Sequence, residues 1–137
     1  MNAQDLMIGD WVYAIDGDCK KHPCRIATLE YDSTNEKDDF SIDFYGTDYE
    51  VEWPDVAFEV EPIPLTPEIL EKNGFVPDNF SPYYLSIEDG SIRFSEHQYG
   101  LYCNILRSYQ RYDGVCNYVH ELQHALKLCG IDKEIVI

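Results

Sequence analysis

Residues His120-Glu121-Leu122-Gln123-His124 match the pattern H-E-x-x-H, the most specific chemical signal in the chain. On a helix, histidines four apart share one face and can both ligate zinc, while the intervening Glu activates a zinc-bound water as general base. A site of that kind is a small zinc-dependent hydrolase with His120 and His124 as metal ligands and Glu121 as base. Its third protein ligand would come from Asp132 or Glu134, the carboxylates that follow. The longer metzincin pattern requires Gly at 127 and His at 130, where this chain has Lys127 and Gly130. With 4 His in 137 residues, the short pattern arises by chance in roughly one such composition per hundred. Periodicity also counts against it. At about 100° per residue, Val119, Leu122, Leu126 and Cys129 form the apolar stripe, with Tyr118 and Ala125 at its shoulder. That places His120 and His124 nearly opposite, toward solvent. The favoured expectation is structural or solvent-facing histidines and no cofactor, with zinc as the alternative.

A second cluster, Cys19-Lys20-Lys21-His22-Pro23-Cys24, brings thiols and an imidazole close together after a turn. Its spacing is not that of a zinc knuckle and no second Cys/His pair follows, so a loop with incidental thiols is expected. The sequence carries no Gly-rich phosphate loop, no G-x-S-x-G elbow and no cysteine with a recognisable His/Asn arrangement. Five cysteines, an odd number without an export signal, point to reduced thiols, and Cys103, Cys116 and Cys129 are expected to behave as small core residues. Seven tyrosines (Tyr83, Tyr84, Tyr99, Tyr102, Tyr109, Tyr112, Tyr118) are expected in the core and at its margin rather than along a ligand groove.

The elements that must position these groups fall into two parts. Up to residue 62 the chain reads as short strands divided by turns. Trp11-Val12-Tyr13-Ala14-Ile15 is followed by Asp16-Gly17-Asp18, then a run from Arg25 to Tyr31. Phe40, Ile42 and Phe44 alternate with polar residues, and beyond Gly46-Thr47-Asp48 so do Val51 and Trp53, a hairpin with one apolar and one acidic face. A fifth strand is expected over Val56 to Val60. Five such strands suit a small SH3-like antiparallel barrel. Pro62, Pro64 and Pro67 mark a boundary within 61–66. A short helix follows, with Thr66 as N-cap, Pro67 at the first position and Asn73-Gly74 at the end. Next come a hairpin about Asp89-Gly90, an optional strand over Leu101 to Leu106, and a helix from about Val115 to Leu128 stopped by Gly130. The expected architecture is α+β: an SH3-like barrel over 1–62 and a helix, β-hairpin, helix unit over 63–137, the two free to pack as one domain.

Charge and composition bound the partners. Hydrophobic residues at 45% and aromatics at 14% support a folded core, while 26 acids against 10 Lys and Arg give a net charge of -16. Such a balance disfavours nucleic acid and anionic membranes, both of which select basic patches. Residues 30–61 hold twelve acids against one base, Lys37, which is expected to be a solvated face that discourages edge pairing. The sharper alternative is an acidic mimic of nucleic acid. The N-terminus shows no basic stretch followed by an apolar core, and no apolar run approaches the roughly 20 residues of a membrane span, so a cytoplasmic chain is expected.

Three stretches together resemble a group of short proteins of gut Bacteroidetes and their phages or mobile elements: Leu6-Met7-Ile8-Gly9-Asp10-Trp11-Val12-Tyr13, Pro62-Ile63-Pro64-Leu65-Thr66-Pro67-Glu68-Ile69-Leu70 with Gly74-Phe75, and Tyr118-Val119-His120-Glu121-Leu122-Gln123. The group has no assigned activity, so the resemblance implies no functional residue. It does imply Gln at position 121 and Asn at position 124 in many members, which would make the metal pattern particular to this chain. The function expected from all of this is non-enzymatic, a cytosolic protein-binding or adaptor module associated with phages or mobile elements. The zinc hydrolase and the nucleic-acid mimic stand as alternatives.

Overall fold

Strict alternation builds the first sheet. In β1 (Trp11–Ile15), Val12 and Ala14 are fully buried while their neighbours are partly exposed. The computed structural model describes residues 5–32, 39–45, 50–53 and 59–137, in two compact units, Met1–Ile63 and Pro64–Ile137. It is an α+β structure with one antiparallel sheet in each unit and two helices. No helix is long and apolar enough to cross a membrane among the described residues.

In the first unit, β1, β2 (Lys21–Asp32), β3 (Asp39–Phe44), β4 (Glu50–Trp53) and β5 (Glu59–Pro62) lie in the order β4-β3-β2-β1-β5. The twelve residues of β2 serve two partners. Lys21 to Arg25 pair with β1, and Ile26 to Asp32 pair with β3 beyond a register shift at Ile26/Thr28. The shift marks a bulge, which bends a strand and increases its twist. Leu6, Val12, Ala14, Cys24, Ile26, Ile42 and Phe44 form the core, with Leu29 and Val60 against it. The β3–β4 register sets Ile42 opposite Val51 and Phe40 opposite Trp53, as the alternation requires. The turn at Gly46-Thr47-Asp48 and the start of the expected strand at Val56 lie outside the described residues, as do most side chains of the acidic stretch. Among the described residues, no ladder joins β4 to β5.

The second unit starts with α1 (Pro67–Lys72), capped by Thr66, whose hydroxyl accepts the Ile69 amide at 3.3 Å. Then β6 (Tyr83–Ile87), β7 (Gly90–His97), β8 (Gly100–Arg107) and β9 (Arg111–Val115) form a meander, and α2 (Val119–Leu128) closes the unit. Both helices end in Schellman motifs. Phe75 N bonds Leu70 O and Ile131 N bonds Leu126 O, with Gly74 and Gly130 supplying the positive φ this geometry needs, 90° and 67°. Ile92 and Phe94 of β7, Cys103 and Ile105 of β8, and Val119, Leu122 and Leu126 of α2 are buried. Phe75 meets Phe94 edge-on at 5.4 Å.

The expected hairpin and its optional third strand over Leu101 to Leu106 belong to a four-stranded sheet, and α2 starts four residues later than the apolar pattern suggested. Arg111 to Val115 alternate between exposed and half-buried, a strand periodicity, and pair with β8 from Leu106 to Tyr102. Tyr118 still has extended backbone (φ -128°, ψ 153°) and is the N-cap of α2. Of the tyrosines expected in the core and at its margin, Tyr83, Tyr84, Tyr102 and Tyr112 are half-buried at the margin, whereas Tyr99, Tyr109 and Tyr118 are exposed. None of the seven is fully buried, and Tyr99 and Tyr109 are 79% and 97% exposed. The phenol oxygens are cheaper to leave in water than to satisfy inside so small a unit, and Phe75, Phe94, aliphatic residues and cysteines fill its centre instead.

Candidate functional site

The shorter α2 changes what its histidines do. With Val119 as the first helical residue, His120 lies in the first turn, where its imidazole stacks on the Tyr118 ring (5.9 Å, 13°) and is only 6% exposed. Just ahead of it, Leu65 N donates to Asn117 O and Pro64 pairs with Tyr118, so a second extended segment runs along the residues that lead into α2. The expectation that His120 faces solvent is thus corrected. His124, partly buried, meets His120 edge-to-face at 5.6 Å, so the two imidazoles are brought together as i, i+4 spacing requires.

The other members of the pattern are placed differently. Glu121 Oε1 accepts the Asn117 amide at 3.3 Å, one residue ahead of the N-cap Tyr118, which provides no side-chain cap of its own. The carboxylate suited to a general base instead bonds the chain that leads into α2, and in the first turn it complements the helix dipole. Asp132 and Glu134 are exposed beyond the Schellman turn. Among the described residues, no three His, Cys, Asp or Glu side chains are grouped to hold a metal.

The Cys19–Cys24 stretch also separates into distinct roles. Cys19 is exposed at the β1–β2 turn with φ 61°, while Cys24 belongs to β2 and the core. Burial pushes the Cys24 thiol up, away from reactivity. His22 Nε2 lies 2.8 Å from Asp16 Oδ2. That bond, with amide donors from Lys20 and Asp18, holds the Asp16 carboxyl below its ordinary range. Cys103, Cys116 and Cys129 are buried in the second unit as expected. The Cys103 thiol is driven far up, first by its contact with Cys116 and then by burial.

The site that sequence reasoning missed is a cleft of ≈ 350 Å³ in the second unit. Its apolar lining is Leu65, Pro67 and Leu101, and Tyr83, Glu96 and His97 supply polar groups. One end is built by Gly100 and Asn117. Asn117 Oδ1 accepts the Leu101 amide at 3.1 Å and its Nδ2 donates to Tyr99 O at 3.3 Å, so the β7–β8 turn is stapled to the residue preceding the N-cap of α2. Gly100, at φ 121°, is required here, because a Cβ would lie 1.9 Å from Asn117 Oδ1. His97 is held by Ser95 Oγ at 2.9 Å and by the Tyr102 ring at 5.2 Å. The Tyr83 phenol has its pKa raised, first by burial and then by the negative charges of Glu96, Glu71 and Glu68. The visible signals were Tyr99-Gly100 between two strands and an Asn before a helix; nothing in the linear order pairs them across seventeen residues.

A second polar cluster flanks β6. Asp78 accepts the Phe80 and Ser81 amides, the Ser81 hydroxyl and the Arg93 guanidinium. Arg93 stands over Tyr84 at 4.4 Å and Phe80 at 5.7 Å. Burial alone would raise the Asp78 carboxyl, but these donors outweigh it and bring it down to about 2. The cluster pins the 78–81 loop to the sheet.

The fold and its cleft define an α+β chain of two antiparallel-sheet units, the second carrying a preformed groove. Compared with protein-family models, curated proteins and solved structures, the chain has no match.

Proposed function

We propose that this chain is a non-enzymatic, cytoplasmic protein-binding or adaptor module, associated with phages or mobile elements, and that the cleft beside Asn117 is where it takes its partner. The observation that carries this is the cleft itself: apolar residues with a few fixed polar groups, its end held rigid by the Asn117 amide. That is the composition of a preorganised recognition groove. At ≈ 350 Å³ it sits near the small end of ligand pockets, about 300–1,000 Å³, which suits one or two side chains of a partner better than a whole cofactor. The roles of His120 as a stacked ring and of Glu121 as the acceptor of the Asn117 amide support a non-catalytic assignment for α2. For the first unit we propose an SH3-like, partly open barrel. Its support is the five-stranded antiparallel order with β1 between β2 and β5, and the long bulged β2 shared between two ladders.

The test is selection from a display library of random linear peptides, followed by amide-resolved NMR titration of a selected peptide. Shifts centred on Leu65, Tyr83, Gly100 and Leu101 are expected. Binding peptides that shift only residues of β1–β5, or a library that yields none, would overturn the assignment.

A further inference from the structure

The cleft's electrostatics narrow what it accepts. Tyr83 forms part of its lining, and the phenol feels the negative charge of Glu96 on β7 and of Glu68 and Glu71 on α1, enough to oppose its ionisation. Glu96 lines the same cleft, and all three carboxylates are exposed and solvated. A phosphate, a carboxylate or a nucleic-acid backbone entering here would meet that charge with no Lys or Arg among the lining residues to offset it. A cation meets the opposite situation: the Glu96 carboxylate and the Tyr83 ring in the lining, the charges of Glu68 and Glu71 acting on the same phenol, and Leu65, Pro67 and Leu101 for a methylene stem.

We propose that the cleft binds a Lys or Arg side chain presented by an extended segment of a partner protein, the stem on Leu65 and Leu101 and the charged head at Tyr83 and Glu96. This rests on the protein-binding function above and names its ligand. The occupant is a side chain rather than a free amine because the cleft is open. Nothing in its lining is placed to enclose a small molecule on all sides, whereas a peptide backbone adds contacts along the rim. The head group is recognised by charge and by one ring, so Lys and Arg should both serve, with Arg gaining from its planar stacking.

The test titrates the full chain, followed by amide NMR at low salt, with the capped peptide acetyl-Gly-Ala-Lys-Ala-Gly-amide. Its Arg, norleucine and Glu counterparts and free 1,5-diaminopentane are titrated beside it. We expect the Lys and Arg peptides to shift Tyr83, Glu96 and Leu101 and to bind about tenfold more tightly than norleucine, the combined size of one exposed ion pair and one cation–π contact. Glu96→Gln, at an exposed position that leaves the fold intact, should reduce that margin about threefold, and 0.5 M salt should reduce it further. Norleucine binding in the cleft as well as Lys would overturn the cation assignment and leave the protein-binding function standing. Diaminopentane binding as tightly as the Lys peptide would make the ligand a free amine. Failure of every probe, together with an empty library selection, would remove both proposals.

Discussion

Gly100→Ala and Asn117→Ala should be strongly non-additive. Asn117→Ala removes two hydrogen bonds, to Leu101 N at 3.1 Å and Tyr99 O at 3.3 Å, each worth about 1 kcal/mol, so it should cost about 2 kcal/mol. Gly100→Ala forces a side chain into φ 121°, a strain of about 1 kcal/mol. It also puts a methyl 1.9 Å from Oδ1 and 2.7 Å from Cγ of Asn117. The amide has to leave, and both its hydrogen bonds go with it, for a total of about 3 kcal/mol. In the double variant the clashing amide is already gone, so the cost should stay near 3 rather than reach about 5 kcal/mol, a coupling of about 2 kcal/mol. The assay is urea unfolding followed through resolved NMR intensities of β7 and β8, so that the first unit does not enter the fit. Additivity within about 0.5 kcal/mol would refute the claim that Asn117 is the wall Gly100 must avoid.

Phe75→Ala removes a ring that is 1% exposed and edge-on to Phe94; a loss of about 3–5 kcal/mol is expected by the same urea assay, and less than 2 would mean that the site collapses around the gap. The Asp78 carboxyl is held at about 2 against an ordinary 3.8. The stability it contributes is therefore complete above pH 3.8 and lost as pH falls through about 2. Asp78→Asn should flatten the acid limb of the urea midpoint between pH 5 and pH 2, and an unchanged limb would contradict the assignment. Tag-free protein should hold no stoichiometric zinc by mass spectrometry, after zinc addition as well as before. One zinc per chain, lost in the His120→Ala, His124→Ala double variant, would restore the hydrolase.

Where a residue's neighbours lie close in sequence, the fold was legible. Thr66-Pro67 and Asn73-Gly74 bracket α1 because caps act within one turn, and the alternation of Trp11–Ile15 is that of a half-buried strand. Legibility failed where distant chain decides. His120 is buried and stacked on Tyr118, which itself pairs with Pro64 more than fifty positions upstream, and no helical wheel can display that. The 111–115 strand was hidden by the expected early start of α2, since Val115 fits the apolar stripe of a helix as well as the exposed row of β9. The cleft was the hardest feature to read, because Asn117, Gly100 and Leu65 carry no chemistry as residue types. They become a site only through the ladder that aligns them.

Asn73 has a consequence in time as well as in space. Its amide donates to Val136 O at 2.7 Å and accepts Val136 N at 2.9 Å, while the same Nδ2 also bonds Ile69 O at 2.7 Å. The cap of α1 is therefore finished by a segment 63 residues downstream. At synthesis rates of about 5–20 residues per second, a newborn chain waits roughly 3–13 s between making Asn73 and making its partner. Through that interval the Asn73 amide lacks its Val136 partner, and the cap of α1 is completed only once Val136 has been made.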